Sequence, residues 1–321
     1  GQGADSCMAP RNWPPHTQIC ASNQWSYRGM PMRYSAPATV CRDEKPGQLS
    51  GLTRVRAITQ DDGHLFLRVS QIKQEVGTIV SIIKEFYTTL GMVEDYWVSL
   101  SVSDPATPDK YLGGKDVWDT AESSLEEAAK QFDLPYKRIE GEAAFYGPKL
   151  DFMFKDAIGR QWQLATIQLD FNLPNRFDLS YVNEQGEKER PVVIHRAISG
   201  SLERFMGVMI EHFAGVFPLW LAPRQAIVVP VGEKFNDYAE KVLKSLKDGG
   251  IRAEGDFSSD GLNKKVRNAE QAHINYILVV GEKEEANNGV AVRNYKTKEQ
   301  TEESAVDFVA RSKKEIEEKS L

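Results

Sequence analysis

Near Trp220-Leu221-Ala222-Pro223 the hydrophobic pattern of this chain changes period, and that change constrains the fold more than any other feature. Downstream, the apolar run Ala226 to Val231 precedes an amphipathic stretch from Lys234 to Lys247 that Gly249-Gly250 stops. Ile251 to Asp256 then reads as a strand, Leu262 to Ala272 as a basic helix, Tyr276 to Val280 and Val290 to Arg293 as strands, and Ser304 to Ile316 as a terminal helix. Strands alternating with short helices predict a compact α/β unit with a largely parallel sheet.

Upstream the pattern is that of paired antiparallel strands. Leu150, Phe152 and Phe154 alternate with Asp151, Met153 and Lys155, and the chain returns from Gln161 to Phe171 after a turn at Asp156 to Gly159. Ile72, Val76, Ile79, Ile83, Phe86 and Leu90 recur at helical spacing, with Ser70 as a cap and Gly91 as a stop. A second helix is expected from about Asp116 to Phe132. Val98, Leu100 and Val102 alternate with serines, which predicts a strand with one wet face. Pro191 to Ile194 reads as a strand, and Gly200-Ser201 opens a helix carrying Leu202, Phe205, Met206, Met209 and Phe213. Before residue 50, prolines including Pro14 and Pro15 interrupt every candidate helix. The expected fold class is therefore α+β: an antiparallel sheet with helices on one side over residues 1–221, then a smaller α/β domain over 222–321. A chain of 321 residues is long enough for two such cores.

The net charge of −6 announces no overall nucleic-acid binder, and three cysteines, Cys7, Cys20 and Cys41, are too few for a disulfide framework. A reducing, cytoplasmic or organellar compartment and no membrane contact are expected. No apolar stretch approaches the ~20 residues of a membrane helix.

Four clusters could carry chemistry. Arg42-Asp43-Glu44 and the pair Arg54 and Arg56 flank a loop, as arginines on the two arms of a hairpin that grips a polyphosphate would; a solvated hairpin has the same charges. Gln60-Asp61-Asp62-Gly63-His64 reads as a turn or bulged bend, or as an ammonium or metal site. Gln161 and Gln163 share one face of a strand that runs on to Gln168, Asp170 and Phe171. His195-Arg196-Ala-Ile-Ser-Gly-Ser201-Leu-Glu-Arg204 reads as a strand end and helix start, which surface charge alone would also explain.

In this order the clusters resemble class II aminoacyl-tRNA synthetases, and threonyl-tRNA synthetase in particular, over nearly the whole chain. The pieces that carry the resemblance are Leu49-Ser-Gly-Leu-Thr-Arg-Val-Arg56, Gln60-Asp-Asp-Gly-His64, Ala144-Phe-Tyr-Gly-Pro-Lys149, Thr166-Ile-Gln-Leu-Asp-Phe171 and Ile194 to Arg204. The resemblance implies a catalytic core with motifs 2 and 3 but no motif 1, and an anticodon-binding domain after it. It implies ATP and Mg2+, with threonine and tRNA as further substrates. Arg42 is similar to the motif 2 arginine on the α-phosphate, Glu44 to an adenine contact, Arg54 to a support for the phosphates, Gln163 to a nucleotide contact, and Arg204 to the motif 3 arginine by the γ-phosphate. Gln60, Asp62, Tyr146, Gln168 and Ser201 match the amino-acid pocket, and Lys264, Lys265, Arg267 and Arg293 match tRNA contacts.

In the family a zinc ion held by one cysteine and two histidines chelates threonine and excludes valine. His64 and His195 match the histidines, but Trp13 stands at the cysteine position, and indole is no metal ligand. Arg11 replaces a pocket methionine, Cys41 a histidine and Ala9 a lysine. Two imidazoles alone make a weak zinc site, and Cys7 or Cys20 would have to supply the third ligand. The family is homodimeric through motif 1, which has no counterpart here. Two functions are therefore expected to compete: a threonine–tRNA ligase, or a degenerate paralogue that binds tRNA or a protein partner without acylation.

Overall fold

Pro14 and Pro15 start a helix rather than prevent one. α1 spans Trp13–Ala21 with both prolines in its first turn, where a missing N–H loses no intrahelical partner and the fixed φ suits the helix. The computed structural model describes residues 11–156 and 158–321; Cys7, Ala9 and Pro10 lie outside the described residues. The chain divides into two compact units, one ending at Met209 and one beginning at Ile210.

Among the described residues of the first unit, seven strands form one sheet: β1 (Met32–Cys41), β2 (Ala57–Leu67), β3 (Tyr96–Val102), β4 (Tyr136–Glu140), β5 (Lys149–Lys155), β6 (Gln161–Asp170) and β7 (Val192–Ala197), in the order β1-β2-β7-β6-β5-β3-β4. Every neighbouring pair is antiparallel except β3 and β4. The crossover that inserts β7 between β2 and β6 decides the position of the site. In this register His195 faces His64 on one side and Gln168 on the other, so three clusters far apart in sequence meet on adjacent strands.

The stretch 61–63 is not a turn. β2 runs unbroken through Asp61-Asp62-Gly63 and pairs residue for residue with β1. Asp61, which has the side chain of a turn former, instead accepts N–H bonds from Ile198 at 2.9 Å and Ser199 at 3.0 Å and pairs with Arg196 at 2.9 Å. Those long-range partners outweigh the local turn preference.

α2 (Ile72–Thr89) begins after a tight turn in which the Gln71 carboxamide accepts from the Arg68 N–H at 3.0 Å, so Ser70 is not its cap; Gly91, at φ +68°, ends it. It packs with α3 (Lys115–Gln131) behind the sheet, where buried Tyr87 stacks on Phe154 at 3.7 Å and donates to the Ile198 carbonyl at 2.8 Å. α1 lies on the opposite face, so the sheet carries helices on both sides rather than one. Ser99 and Ser101 of β3 are buried and bond each other at 3.0 Å; the expected wet face is covered, and paired hydroxyls make that burial tolerable. α4 (Leu202–His212) buries Val208 and Met209 but leaves Met206 exposed.

The second unit holds β8 (Ala226–Pro230), α5 (Asn236–Asp248), β9 (Ala253–Gly255), α6 (Leu262–Gln271), β10 (Tyr276–Val280), β11 (Gly289–Asn294), β12 (Gln300–Ser304) and α7 (Ala305–Glu317). The sheet order is β9-β8-β10-β11-β12. Its first three strands are parallel and its last two antiparallel, so the sheet is mixed rather than largely parallel. Short connections after Val280 cannot make a crossover, which forces the antiparallel additions. Val228, Leu246, Leu278, Val292 and Phe308 fill one face of the sheet and Val229, Ala269 and Ile277 the other. Among the described residues no helix is long and apolar enough to cross a membrane.

Candidate active site

One cleft of about 300 Å³ in the first unit is lined by Arg42, Glu44, Arg54, Gln60, Asp62, His64, Tyr146, Gln163, Gln168, His195, Ser201 and Arg204, with Arg11 and Trp13 at its wall. Every core-domain residue that the resemblance matches to a nucleotide, amino-acid or metal contact thus lines a single depression on the front of the sheet, whereas Arg56, Asp61 and Gln161 of the same sequence clusters do not.

The arginine end is built by the long loop between β1 and β2. Arg42 leaves β1 with its N–H on the Arg56 carbonyl at 2.7 Å, which holds the loop closed at its base. Arg54 forks onto Glu44, with Nε and Nη2 both 3.0 Å from Oε2. Arg204 donates to the Thr53 carbonyl at 2.9 Å and lies over the Trp162 ring. Burial lowers the pKa of Arg42, as does nearby Arg11, and burial with nearby Arg54 lowers that of Arg204. Concentrated positive charge of this kind, partly withdrawn from water, is set to take a polyanion. The geometry at the start of α4 supports it: Gly200 has φ +70°, and Ser201 accepts from the Arg204 N–H at 3.3 Å. Both Glu203 carboxylate oxygens take the Thr59 N–H, at 2.9 and 3.0 Å.

The amide wall depends on a β-bulge. Between Phe152 and Met153 the register of β5 on β6 slips, with Phe152 opposite Ala165 but Met153 opposite Gln163, so Leu164 is the extra residue. The slip turns Gln163 to the same face as Thr166 and Gln168, which strict alternation would forbid. Buried Asp151 gathers this wall, accepting from Gln163 and Thr166 at 2.7 Å each and pairing with Lys149. Gln168 donates to Thr166 at 3.2 Å and accepts from the Tyr146 hydroxyl.

At the other end lie three imidazoles. His16, brought in by α1, has Nδ1 2.8 Å from Nδ1 of His64, and the His64 and His195 rings stand edge to face at 5.0 Å. His195 Nε2 is 3.0 Å from Asp170, whose other oxygen takes the N–H groups of Asn172 and Leu173. Burial, with His195, His16 and Arg196 nearby, drives the His64 pKa down to about 2. Burial pushes Asp62 up to about 6, although His195 and Arg196 pull it the other way. His64 Nε2 is buried without a hydrogen-bond partner, and Asp62 Oδ1 lies 3.8 Å from it.

These donors do not fit the three-ligand zinc site implied by the family resemblance. Trp13 packs edge-on to Phe177 and His195. Cys20 is 3% exposed in an apolar cluster with Met30, Phe66 and Leu173, and burial raises its thiol pKa to about 11. His64 Nδ1 is committed to His16. Among the described residues no three His, Cys, Asp or Glu side chains group so as to hold a metal ion.

His16 is a site residue that sequence reasoning missed, and Arg196, which stood in the fourth cluster, had been given no role in the site. His16 immediately follows the Pro14-Pro15 pair; a Pro-Pro pair placed at a helix start was the available signal. Arg196 lines the cleft and clamps Asp61 at 2.9 Å and Ser35 at 2.7 Å.

In the second unit, Lys264 is exposed and pairs with Asp260 at 2.9 Å, Arg267 is exposed, and half-buried Arg293 donates to Glu270 at 3.1 Å. Lys265 departs from expectation. It is 3% exposed, and its ammonium donates to the Asp256 carbonyl at 3.0 Å, so it is part of the fold under α6 and is not displayed to tRNA.

Comparison with known proteins agrees with this architecture. The family described as tRNA synthetase class II core domain (G, H, P, S and T) matches residues 2–213, and the anticodon binding domain family matches residues 225–315. The threonine–tRNA ligase of Thermus thermophilus is 50% identical over 296 residues, which is 92% of this chain and 45% of that protein. The chain therefore spans about half the length of the curated relatives it matches. The crystal structure of the RNA binding domain of threonyl-tRNA synthetase from Cryptosporidium parvum superposes with a TM-score of 0.89 at 38% identity, covering 95% of this chain and 76% of that one. For the putative threonyl-tRNA synthetase ThrRS-1 of Aeropyrum pernix the TM-score is 0.80 at 32% identity, with 97% and 75% covered. The class II core match, the anticodon-binding domain after it and the threonyl-tRNA synthetases that the chain resembles over most of its length place this chain in the threonyl-tRNA synthetase family of class II tRNA synthetases.

Proposed function

We propose that the chain activates threonine with ATP and transfers it to tRNA. The observation that carries this reading is the convergence of Arg42, Arg54 and Arg204 with Gln60, Asp62, Tyr146 and Gln168 in one cleft. Magnesium bound with ATP would spread the phosphate charge. Arg42 holds the α-phosphate, Arg54 and Arg204 the outer phosphates, and Glu44 and Gln163 the nucleoside. Glu44 then exchanges its bond to Arg54 for the adenine. Asp62 takes the substrate ammonium, with Gln60, Tyr146, Gln168 and Ser201 around it.

So held, the amino-acid carboxylate lies in line with the α-phosphorus, and the guanidinium groups stabilise the charge that develops as pyrophosphate leaves. No protein nucleophile takes part. Lys264, Arg267 and Arg293 meet the tRNA, in a cytoplasmic or organellar compartment. Threonine-dependent exchange of pyrophosphate into ATP tests the reading; no exchange by the full chain, with ATP still bound, rejects it.

The second reading is a paralogue that keeps the scaffold and tRNA binding but does not acylate. Trp13 and Arg11 favour it, one removing a ligand and the other adding positive charge beside an ammonium site. tRNA binding without any amino-acid-dependent exchange would establish it.

A further inference from the structure

We infer that His64 selects the amino acid by a direct hydrogen bond between its Nε2 and the substrate hydroxyl, without a resident metal. The inference rests on the reading of this end of the cleft as the amino-acid pocket. His64 is 1% exposed and lines the cleft, and its Nε2 is a buried nitrogen with no partner in the protein. Its other nitrogen is fixed by His16 at 2.8 Å, so the ring cannot turn Nε2 away without breaking that bond. His195 is held in turn by Asp170 at 3.0 Å. The two rings are thus locked by protein partners, which is how a hydrogen-bonding site is made rigid.

The direction of the His16–His64 bond sets whether His64 Nε2 donates or accepts. A hydroxyl serves in either case, because it carries one donor and two acceptor pairs. The ammonium of the same substrate goes to Asp62, whose Oδ1 is 3.8 Å from Nε2, so neighbouring groups of one small amino acid reach both. Valine puts a methyl where the hydroxyl belongs and leaves a buried nitrogen unpaired. The cost of such an orphan corresponds to about 10- to 100-fold in affinity. Metal chelation would need a third ligand, and Trp13 stands at that wall of the cleft.

Calorimetric titration of the full chain with L-threonine and with L-valine, with and without EDTA and again after added zinc chloride, tests the inference. The expected result is threonine at least about 10-fold tighter than valine, with a ratio unchanged by EDTA or zinc. His64→Ala reduces the ratio to near unity. His64→Asn, which keeps a hydrogen-bonding group in the interior, retains part of it and covers the case in which alanine does not fold. A preference abolished by EDTA and restored by zinc would overturn the inference while leaving threonine activation intact, as would equal binding of the two amino acids by the unaltered chain. Binding of ATP but of neither amino acid would remove the pocket reading on which it rests.

Discussion

Replacing Gly147 by alanine perturbs both the fold and the pocket, and the structure sets the scale. A Cβ at this position would fall on the Leu169 carbonyl oxygen and 2.9 Å from its carbon. Carbon–carbon contacts rest at about 3.5–4.0 Å, so the segment must retreat from β6 by about 1 Å. That motion strains the bond from the Leu169 N–H to the Pro148 carbonyl, now 3.0 Å, and carries Tyr146 away from Gln168. One backbone bond at about 1 kcal/mol plus overpacking at about 1–3 kcal/mol gives a loss of about 2–4 kcal/mol. Misplacing Tyr146 by about 1 Å should also raise KM for threonine by about 10- to 100-fold, with KM for ATP changed far less. Urea unfolding followed by tryptophan fluorescence gives the first number, and pyrophosphate exchange gives the second. A stability change below about 0.5 kcal/mol with unchanged KM for threonine would refute the close-approach argument.

Arg42→Ala and Arg204→Ala should each lower pyrophosphate exchange by about 10²–10³-fold with little change in melting temperature, since both act on developing phosphate charge. Asp156 should confer acid-sensitive stability. Burial opposes its ionisation, but N–H bonds from Trp162 and Arg160 outweigh that and hold its pKa at about 2, below the ordinary 3.8. Because the folded value is the lower one, the stabilisation is present above the ordinary value and is lost as pH falls through the folded one. Asp156→Asn should therefore cost about 2 kcal/mol at neutral pH, a gap that urea midpoints show closing between about pH 4 and pH 2. In filter binding, Lys264→Ala and Arg267→Ala should each weaken tRNA and reduce the salt slope by about 1, whereas Lys265→Met should leave affinity unchanged and reduce stability.

The elements whose patterns are local were legible from the sequence. The helix of Ile72, Val76, Ile79 and Ile83, the strand pair of Leu150 and Gln161 onward, and the strand–helix succession after Ala226 all follow from periodicity. The site clusters were legible because charged and amide residues concentrate where strands end. Their meeting depends on β7 lying between β2 and β6, and its pairing with β2 joins residues more than a hundred apart, so it rested on family resemblance instead.

The failures share one cause, burial and partners that the tertiary fold supplies and residue pattern alone does not show. Asp61 reads as a turn former until the Ile198 and Ser199 amides are opposite it. Ser99 and Ser101 read as wet until each satisfies the other. Gln163 reaches the cleft only through the bulge at Leu164. Lys265 looks like a surface cation until the Asp256 carbonyl receives it.

A crystal structure of the full chain with a non-hydrolysable threonyl-adenylate analogue tests the central claim most directly. The expected result is one molecule spanning the cleft, its phosphate mimic against Arg42, its adenine beside Glu44, its ammonium on Asp62 and its hydroxyl on His64 Nε2. An analogue seated outside this cleft, or lying in it with the threonyl group among the arginines, would contradict it.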